Sequence, residues 1–404
     1  MGSIAPYRAT LVICLAEVLG LAAIAAFPAL LPTFQAQWDL SNTAAGWISA
    51  AYYAGYMLSV PLLAGITDRM DARRIMALGA LLGVATALGY ALLARGFWSA
   101  LALRWLAGIG LAGIYMPGLK LVSDHTEGAL QSRFVSFYTA SFGLGMGLSY
   151  LMAGEINALA GWRWAFLASA IAAAMALLVI WRYVPGGVRL PSGQPLRLAD
   201  FVTVLRCRPA MAYVFGYAAH MWELFAFRTW IVAFLVFSMG YSSDGDGGWR
   251  PTQVAFLANL VGLASSIAGN ELARIHGRQR VIAAVMLLSA ACGAGLGFMA
   301  PLPYAWVALG ALVYGLLVTA DSAALTAGAV AAAPAGLRGT TLAVHSTIGF
   351  GAAFAGPLAV GLVLDAFGGA TPLAWGMGFV TMAAGCLVGP LILAYYSDHH
   401  AARE

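Results

Sequence analysis

The chain has 404 residues, 62% of them hydrophobic and 9% charged, with a formal net charge of +5. A soluble domain carries about a quarter charged residues, so this supply cannot build a water-exposed surface. No basic stripe with interleaved aromatics stands in a polar segment, which argues against nucleic acid as a partner, and the 48 glycines follow no collagen period. What remains is a polytopic protein whose medium is the lipid bilayer.

A spanning helix takes roughly 20 apolar residues. Apolar runs divide the chain into twelve, at 9–33, 45–66, 75–95, 98–120, 134–158, 163–184, 209–238, 252–273, 281–300, 303–330, 340–366 and 371–396. Hydrocarbon offers the backbone no hydrogen-bond partner, so each run is predicted to be helical. The first is too long for a signal-peptide core and is expected to be retained as a span. Cys14, Cys207, Cys292 and Cys386 are too scattered for a disulfide framework or a metal site.

Basic residues orient the bundle. With the N-terminus inside, 16 of the 21 fall in cytoplasmic joints, while Arg95, Arg163 and Arg250 are outside and Arg104 and Arg228 lie within spans. Both termini are therefore expected in the cytoplasm of a cell with this chain in its inner membrane. The longest polar joint, 185–208, separates an N-terminal six-helix bundle (1–184) from a C-terminal one (209–404). GITDRMDARR at 65–74 and GNELARIHGRQR at 269–280 occupy equivalent turns of the two halves. Such internal duplication is typical of secondary transporters.

In the first of those turns, Asp68, Arg69, Arg73 and Arg74 match a G-x-x-x-D-R-x-G-R-R loop, with Ala64 and Asp71 at the glycine places and the arginine pair one residue late. Arg104, Gly108 and Gly110 fit R-x-x-x-G-x-G in the fourth span, and GWRWAF precedes the sixth. These residues resemble the major facilitator superfamily over about 10–396. The resemblance implies an all-α membrane protein, with twelve transmembrane helices in two pseudo-symmetric six-helix bundles, that works by alternating access. It also implies that spans 1, 4, 7 and 10 line a central cavity. Where the family's antiporter pattern has Gly-Pro in span 5, this chain has Ser149-Tyr150, which points away from antiport. Gly356-Pro357 in span 11 reads as a kink with close packing.

GIGLAG at 108–113 satisfies a dinucleotide pattern but follows no strand, so its glycines are expected to let two helices approach. Enzyme motifs are absent, and neither a cofactor nor a metal is expected. A charge at the centre of a span costs roughly 2.5–3.5 kcal/mol, so each is a functional candidate. The candidates are Glu17, Arg104, His220, Glu223, Arg228, Asp321 and His345, all but His345 on the cavity-lining spans.

Arg104 and Arg228 suit a planar anion; with His220, Glu223, Trp222 and Tyr115 they form the expected substrate set. Glu17, Glu223, Asp321 and His345 can titrate and form the expected proton-coupling set. Glu223 is expected to pair with His220 or Arg228, and Asp321 with His345. The competing expectation is that these groups are structural ion pairs. Asp68, Arg69, Arg73 and Arg74, with Glu271 and Arg278 in the second half, form a candidate gate; the alternative is a solvated topology marker. Glu155 and Asp365 are expected to be solvated helix ends. The combined expectation is a monomeric, proton-coupled carrier of a small solute, an organic anion in the first instance, with a proton-antiporting exporter of drugs or metabolites as the alternative.

Overall fold

A computed structural model describes residues 6–67, 70–126, 128–186, 198–241 and 248–401. Among the described residues there is no strand, and sixteen helices follow one another: α1 Pro6–Gly20, α2 Ala26–Ala29, α3 Leu31–Trp38, α4 Asn42–Thr67, α5 Ala72–Leu93, α6 Phe97–Asp124, α7 Gly128–Ala160, α8 Trp162–Tyr183, α9 Leu198–Arg206, α10 Arg208–Tyr241, α11 Pro251–His276, α12 Arg278–Gly297, α13 Tyr304–Thr319, α14 Ser322–Ala331, α15 Arg338–Ala366 and α16 Pro372–Ala401. Nine segments among them are long and apolar enough to cross a membrane: α5, α6, α8, α10, α11, α12, α13 with α14, α15 and the apolar part of α16. They correspond to nine of the twelve predicted spans. Asp68, Arg69 and most of the central joint (187–197) lie outside the described residues.

Packing groups the chain into two compact units, Met1–Leu30 with Ala54–Pro195, and Leu31–Tyr53 with Leu196–Glu404. In the first unit Ile13, Met76, Ile114, Leu121, Tyr138 and Ile180 bring α1, α5, α6, α7 and α8 onto one core. The glycines of the dinucleotide-like run serve that packing. A Cβ on Gly79 would lie 2.6 Å from the carbonyl carbon of Gly113 and 2.8 Å from Gly110 O, so α5 and α6 touch backbone to backbone. The second unit is built around α10. A helix apolar all round belongs in an interior, and 72% of the apolar stretch of α10 is buried, more than for any other spanning segment.

Two predicted spans are not continuous helices. Span 1 stops at Gly20 and resumes as α2 and α3. Broken backbone is tolerable at this depth only where other groups satisfy it. Ser149 Oγ accepts from Ala25 N–H (3.0 Å) and donates to Ala22 O (2.7 Å). Ser169 Oγ also donates to Ala22 O (3.2 Å), and Arg104 Nη1 donates to Ile24 O (3.1 Å). The serine that replaces the antiporter Gly-Pro pair is thus a splint for the first span. Ser149→Ala is expected to lower stability by about 1–3 kcal/mol, because it strands a buried N–H. Ser169→Ala should cost less, since Ala22 O keeps its bond to Ser149. Melting midpoints of the two variants in detergent check the order.

Span 10 breaks at Ala320 and Asp321, between α13 and α14. Asp321 stands at the N-cap of α14, yet its side chain makes no cap hydrogen bond. The carboxylate is turned elsewhere, as the site geometry explains.

Candidate functional site

Glu223 is fully buried on α10 in the second unit. Its Oε1 accepts from Tyr314 Oη of α13 at 2.9 Å, and its Oε2 accepts from Ser289 Oγ of α12 at 3.0 Å. The Cys386 thiol of α16 also contacts this carboxyl, so four helices meet on it, and its partners are two hydroxyls and a thiol. The expected pairing of Glu223 with His220 or Arg228 is corrected. Arg228, five residues further along α10, donates through Nε to Asn259 Oδ1 of α11 at 3.1 Å and lies 5.3 Å over the Phe225 ring. Helical spacing put the three residues near one face, but neighbouring helices offered each a closer partner than its own helix could.

The expected Asp321–His345 pair is corrected as well. Asp321 Oδ1 lies 2.8 Å from Nδ1 of His220, and both residues are buried. Neither atom makes an aligned hydrogen bond, so the contact is a close approach rather than a directed bond. The break in span 10 makes this possible, since it frees the Asp321 side chain from a regular helix face. His345 stacks on Tyr217 with ring centroids 3.8 Å apart, and its Nε2 lies 3.3 Å from Thr326 Oγ1.

In the first unit Glu17 is also fully buried, and its Oε2 is held by the Ser141 hydroxyl of α7. The Ser141 Oγ lies 2.7 Å from Tyr138 O as well. One hydroxyl has one proton. It donates to the carboxylate when Glu17 is ionised; when Glu17 is protonated the acid donates to Ser141, which then donates to Tyr138 O. Arg104, 2% exposed, holds the broken first span through Ile24 O and lies 5.8 Å from the Phe27 ring. This hydrogen bond gives Arg104 a structural role beside the substrate role expected of it.

The aromatic members of the expected substrate set pack. Trp222 Nε1 donates to Thr381 O at 2.9 Å, and the ring lies against Gly385, where a Cβ would come within 2.6 Å of it. Tyr115 stacks with Tyr138 at 5.7 Å and meets Phe142 edge-on at 5.4 Å. Among the expected gating residues, Arg73 stays within its own unit. Its Nε donates to Ile180 O at 3.2 Å and its Nη2 to Trp181 O, placing a cation on the last turn of α8. Asp71 caps α5 by accepting from Arg73 N–H at 2.9 Å. Arg74 is exposed. Glu271 pairs locally with Arg274 at 3.2 Å on an exposed surface, where such a pair is worth little. Arg278 lines a cavity of about 350 Å³ with Tyr213, His276 and Arg280.

Sequence reasoning missed Ser289, Tyr314, Ser141 and Asn259. Neutral hydroxyls and amides are common in apolar helices, and nothing in their spacing marks the few that meet a carboxyl. Among the described residues no cluster of three or more His, Cys, Asp or Glu could hold a metal, and the four cysteines are free.

The profile of the Major Facilitator Superfamily matches residues 13–357, most of the chain. The chain belongs to the Major Facilitator Superfamily. Within it, the chain is 25% identical over 185 residues to protein spinster homolog 3 of Danio rerio, covering 45% of this chain and 37% of that protein. It is 27% identical over 146 residues to a probable sphingolipid transporter, spinster homolog 1 of Arabidopsis thaliana, covering 36% and 29%. The aligned part is thus about a third of each relative's length. A crystal structure of a bacterial homolog of the human lysosomal transporter spinster, inward-facing and unoccupied, superposes with a TM-score of 0.73 at 16% identity, over 97% of this chain and 96% of that one. At that identity the likeness establishes the superfamily fold.

Proposed function

We propose that the protein is a secondary transporter that moves a small organic solute by alternating access and couples it to protons at Glu223 and Glu17. The observation that carries this reading is the company these two carboxyls keep. Each is fully buried, and the partners found on it are hydroxyls and a thiol: Ser289, Tyr314 and Cys386 on Glu223, Ser141 on Glu17. A hydroxyl can donate to an ionised carboxylate or rotate to accept from a protonated acid, so both oxygens of Glu223 keep a partner in either state, while Glu17 keeps one on its Oε2 alone. A guanidinium has donors only and would hold the acid ionised. Carboxyls that must gain and lose a proton in each cycle need the first kind of partner.

The two six-helix halves, 1–184 and 209–404, rock about the buried charges in this reading. His220 with Asp321, and His345 beside Tyr217, form a second titratable cluster on α10, α14 and α15 that relays protons to Glu223. The arginine-rich joints face the cytoplasm, and the turns at Arg73 and Arg278 stiffen that end. Arg228, a buried and permanent positive charge on the helix that carries Glu223, favours an organic anion as the solute.

A thermal-shift screen of the detergent-solubilised protein against organic anions, organic cations and neutral amphiphiles tests the solute class. Ligand at a hundred times its Kd stabilises the folded state by about 2.7 kcal/mol. Anions are expected to raise the melting midpoint of the parent protein, and this rise should vanish in Arg228→Ala and survive in part in Arg228→Lys. Stabilisation only by cations or drug-like compounds would overturn the anion reading and favour an exporter. Stabilisation only by long-chain amphiphiles would extend to this chain what the name of the Arabidopsis relative says of that protein. Coupling is tested separately: a stabilising solute added to proteoliposomes that enclose a pH-sensitive dye should move protons with it.

A further inference from the structure

At the end of α15 remote from Arg338, the Asp365 carboxylate receives the start of α4. Its Oδ1 accepts from the Asn42 backbone N–H (3.0 Å) and from Asn42 Nδ2 (2.8 Å), and its Oδ2 accepts from Thr43 N–H (2.7 Å). Ser41 Oγ accepts from Ala44 N–H (3.1 Å). A helix begins with backbone N–H groups that have no partner within it. Here Ser41 satisfies one such group of α4, and a residue more than 320 positions along the chain satisfies two more. Gln35 Nε2 donates to Asn42 Oδ1 at 2.9 Å and steadies the amide that faces Asp365. Below the cap the two helices touch backbone to backbone. A Cβ on Gly361 would lie 2.5 Å from Asn42 O, and one on Gly46 would lie 3.0 Å from Pro357 O. Trp47 meets Phe354 edge-on, with ring centroids 5.8 Å apart.

This junction binds a piece of chain that belongs by sequence to the N-terminal half. Residues 31–53 pack in the second unit, whereas α4 from Ala54 onward packs in the first. A single helix is therefore shared, and its leading turn is held by one exposed carboxylate. Water and salt compete for such a bond, so it can break and re-form within a transport cycle.

We propose that Asp365 is a gating residue: its carboxylate caps the first turn of α4 in one state of the cycle and releases it in the other. This deepens the alternating-access reading, on which it rests. Asp365 is exposed, as expected of a solvated helix end, and it caps α4 as well.

Ala50 is fully buried on the same segment, so an Ala50→Cys variant reports when the segment opens. The measurement is the rate of its modification by a membrane-impermeant thiol reagent in proteoliposomes, with the parent protein as the background for native cysteines. Adding Asp365→Ala is expected to raise the rate about five- to tenfold, the effect of losing one helix cap. Asp365→Asn should act in the same direction, since an amide has one acceptor oxygen where three N–H donors share the two of the carboxylate. With Asp365 intact, 1 M salt should also raise the rate, so the test does not depend on either variant folding. Equal rates with and without Asp365, in proteins of unchanged melting midpoint, would overturn the proposal. Labelling and transport are separate readouts. Increased labelling without any solute flux would sink the transport reading and leave the latch, and normal flux with unchanged labelling would do the reverse.

Discussion

In liposomes, Glu223→Gln protein is expected to exchange solute across the membrane yet fail to concentrate it when a proton gradient is imposed. The expectation follows from hydrogen-bond capacity. Glutamine keeps the shape of the acid, and its carbonyl oxygen can still accept from either Tyr314 or Ser289, the two hydroxyls on Glu223. Its amide then donates toward the other hydroxyl, which rotates to accept. The variant thus imitates the protonated acid permanently and should fold with a penalty of roughly 1 kcal/mol. Exchange needs only the solute-loaded protein to change state, whereas accumulation needs the proton to leave. Gradient-driven uptake should therefore fall to the level measured without a gradient. Tyr314→Phe is the control: it strands one carboxyl oxygen at a cost of about 1–3 kcal/mol, lowers the melting midpoint and leaves coupling in place. Uphill accumulation by Glu223→Gln would remove Glu223 from the proton path.

The second large effect is on stability. Arg104→Ala is expected to cost about 2–4 kcal/mol, through the lost charged hydrogen bond and the cavity left beside Phe27. Arg104 is 2% exposed, and it donates to Ile24 O, where span 1 is interrupted and no helical partner exists. Removing the guanidinium returns an unsatisfied carbonyl to an apolar interior. Arg104→Lys keeps a donor on a flexible stem and should recover part of the loss. Melting midpoints and the yield of monodisperse protein in detergent measure both. If Arg104→Ala melted with the parent protein and lost only its stabilisation by anions, Arg104 would return to the substrate set.

These two residues show how differently one kind of cue can resolve. Glu223 and Arg104 were conspicuous for the same reason: each is charged inside an apolar run, where a charge needs a justification. The justification differs because it depends on what the neighbouring helices present. Glu223 meets two hydroxyls that suit either protonation state, while Arg104 meets a broken backbone. The pairings proposed from helical spacing failed for a related cause. Spacing along α10 says which residues share a stripe, but His220, Glu223 and Arg228 each turn to a different helix, to Asp321, Ser289 with Tyr314, and Asn259. Likewise Asp365 looked like a solvated end because its partners, Asn42 and Thr43, lie more than 320 residues away in sequence.

What the amino-acid sequence determined by itself is what the bilayer reads locally. Run length, helical character and the superfamily follow from local composition and short patterns, because hydrocarbon imposes one backbone solution on any apolar run of sufficient length. Close packing at Gly110 and Gly113 was legible too, since small residues let helix backbones approach closely. The partner of each buried charge, the breaks at 21–25 and at Asp321, and the seating of residues 31–53 in the second unit were decided by tertiary structure alone. Each depends on which hydroxyl, carbonyl or carboxylate a distant helix brings within hydrogen-bond range, and the order of residues along one helix carries no record of that.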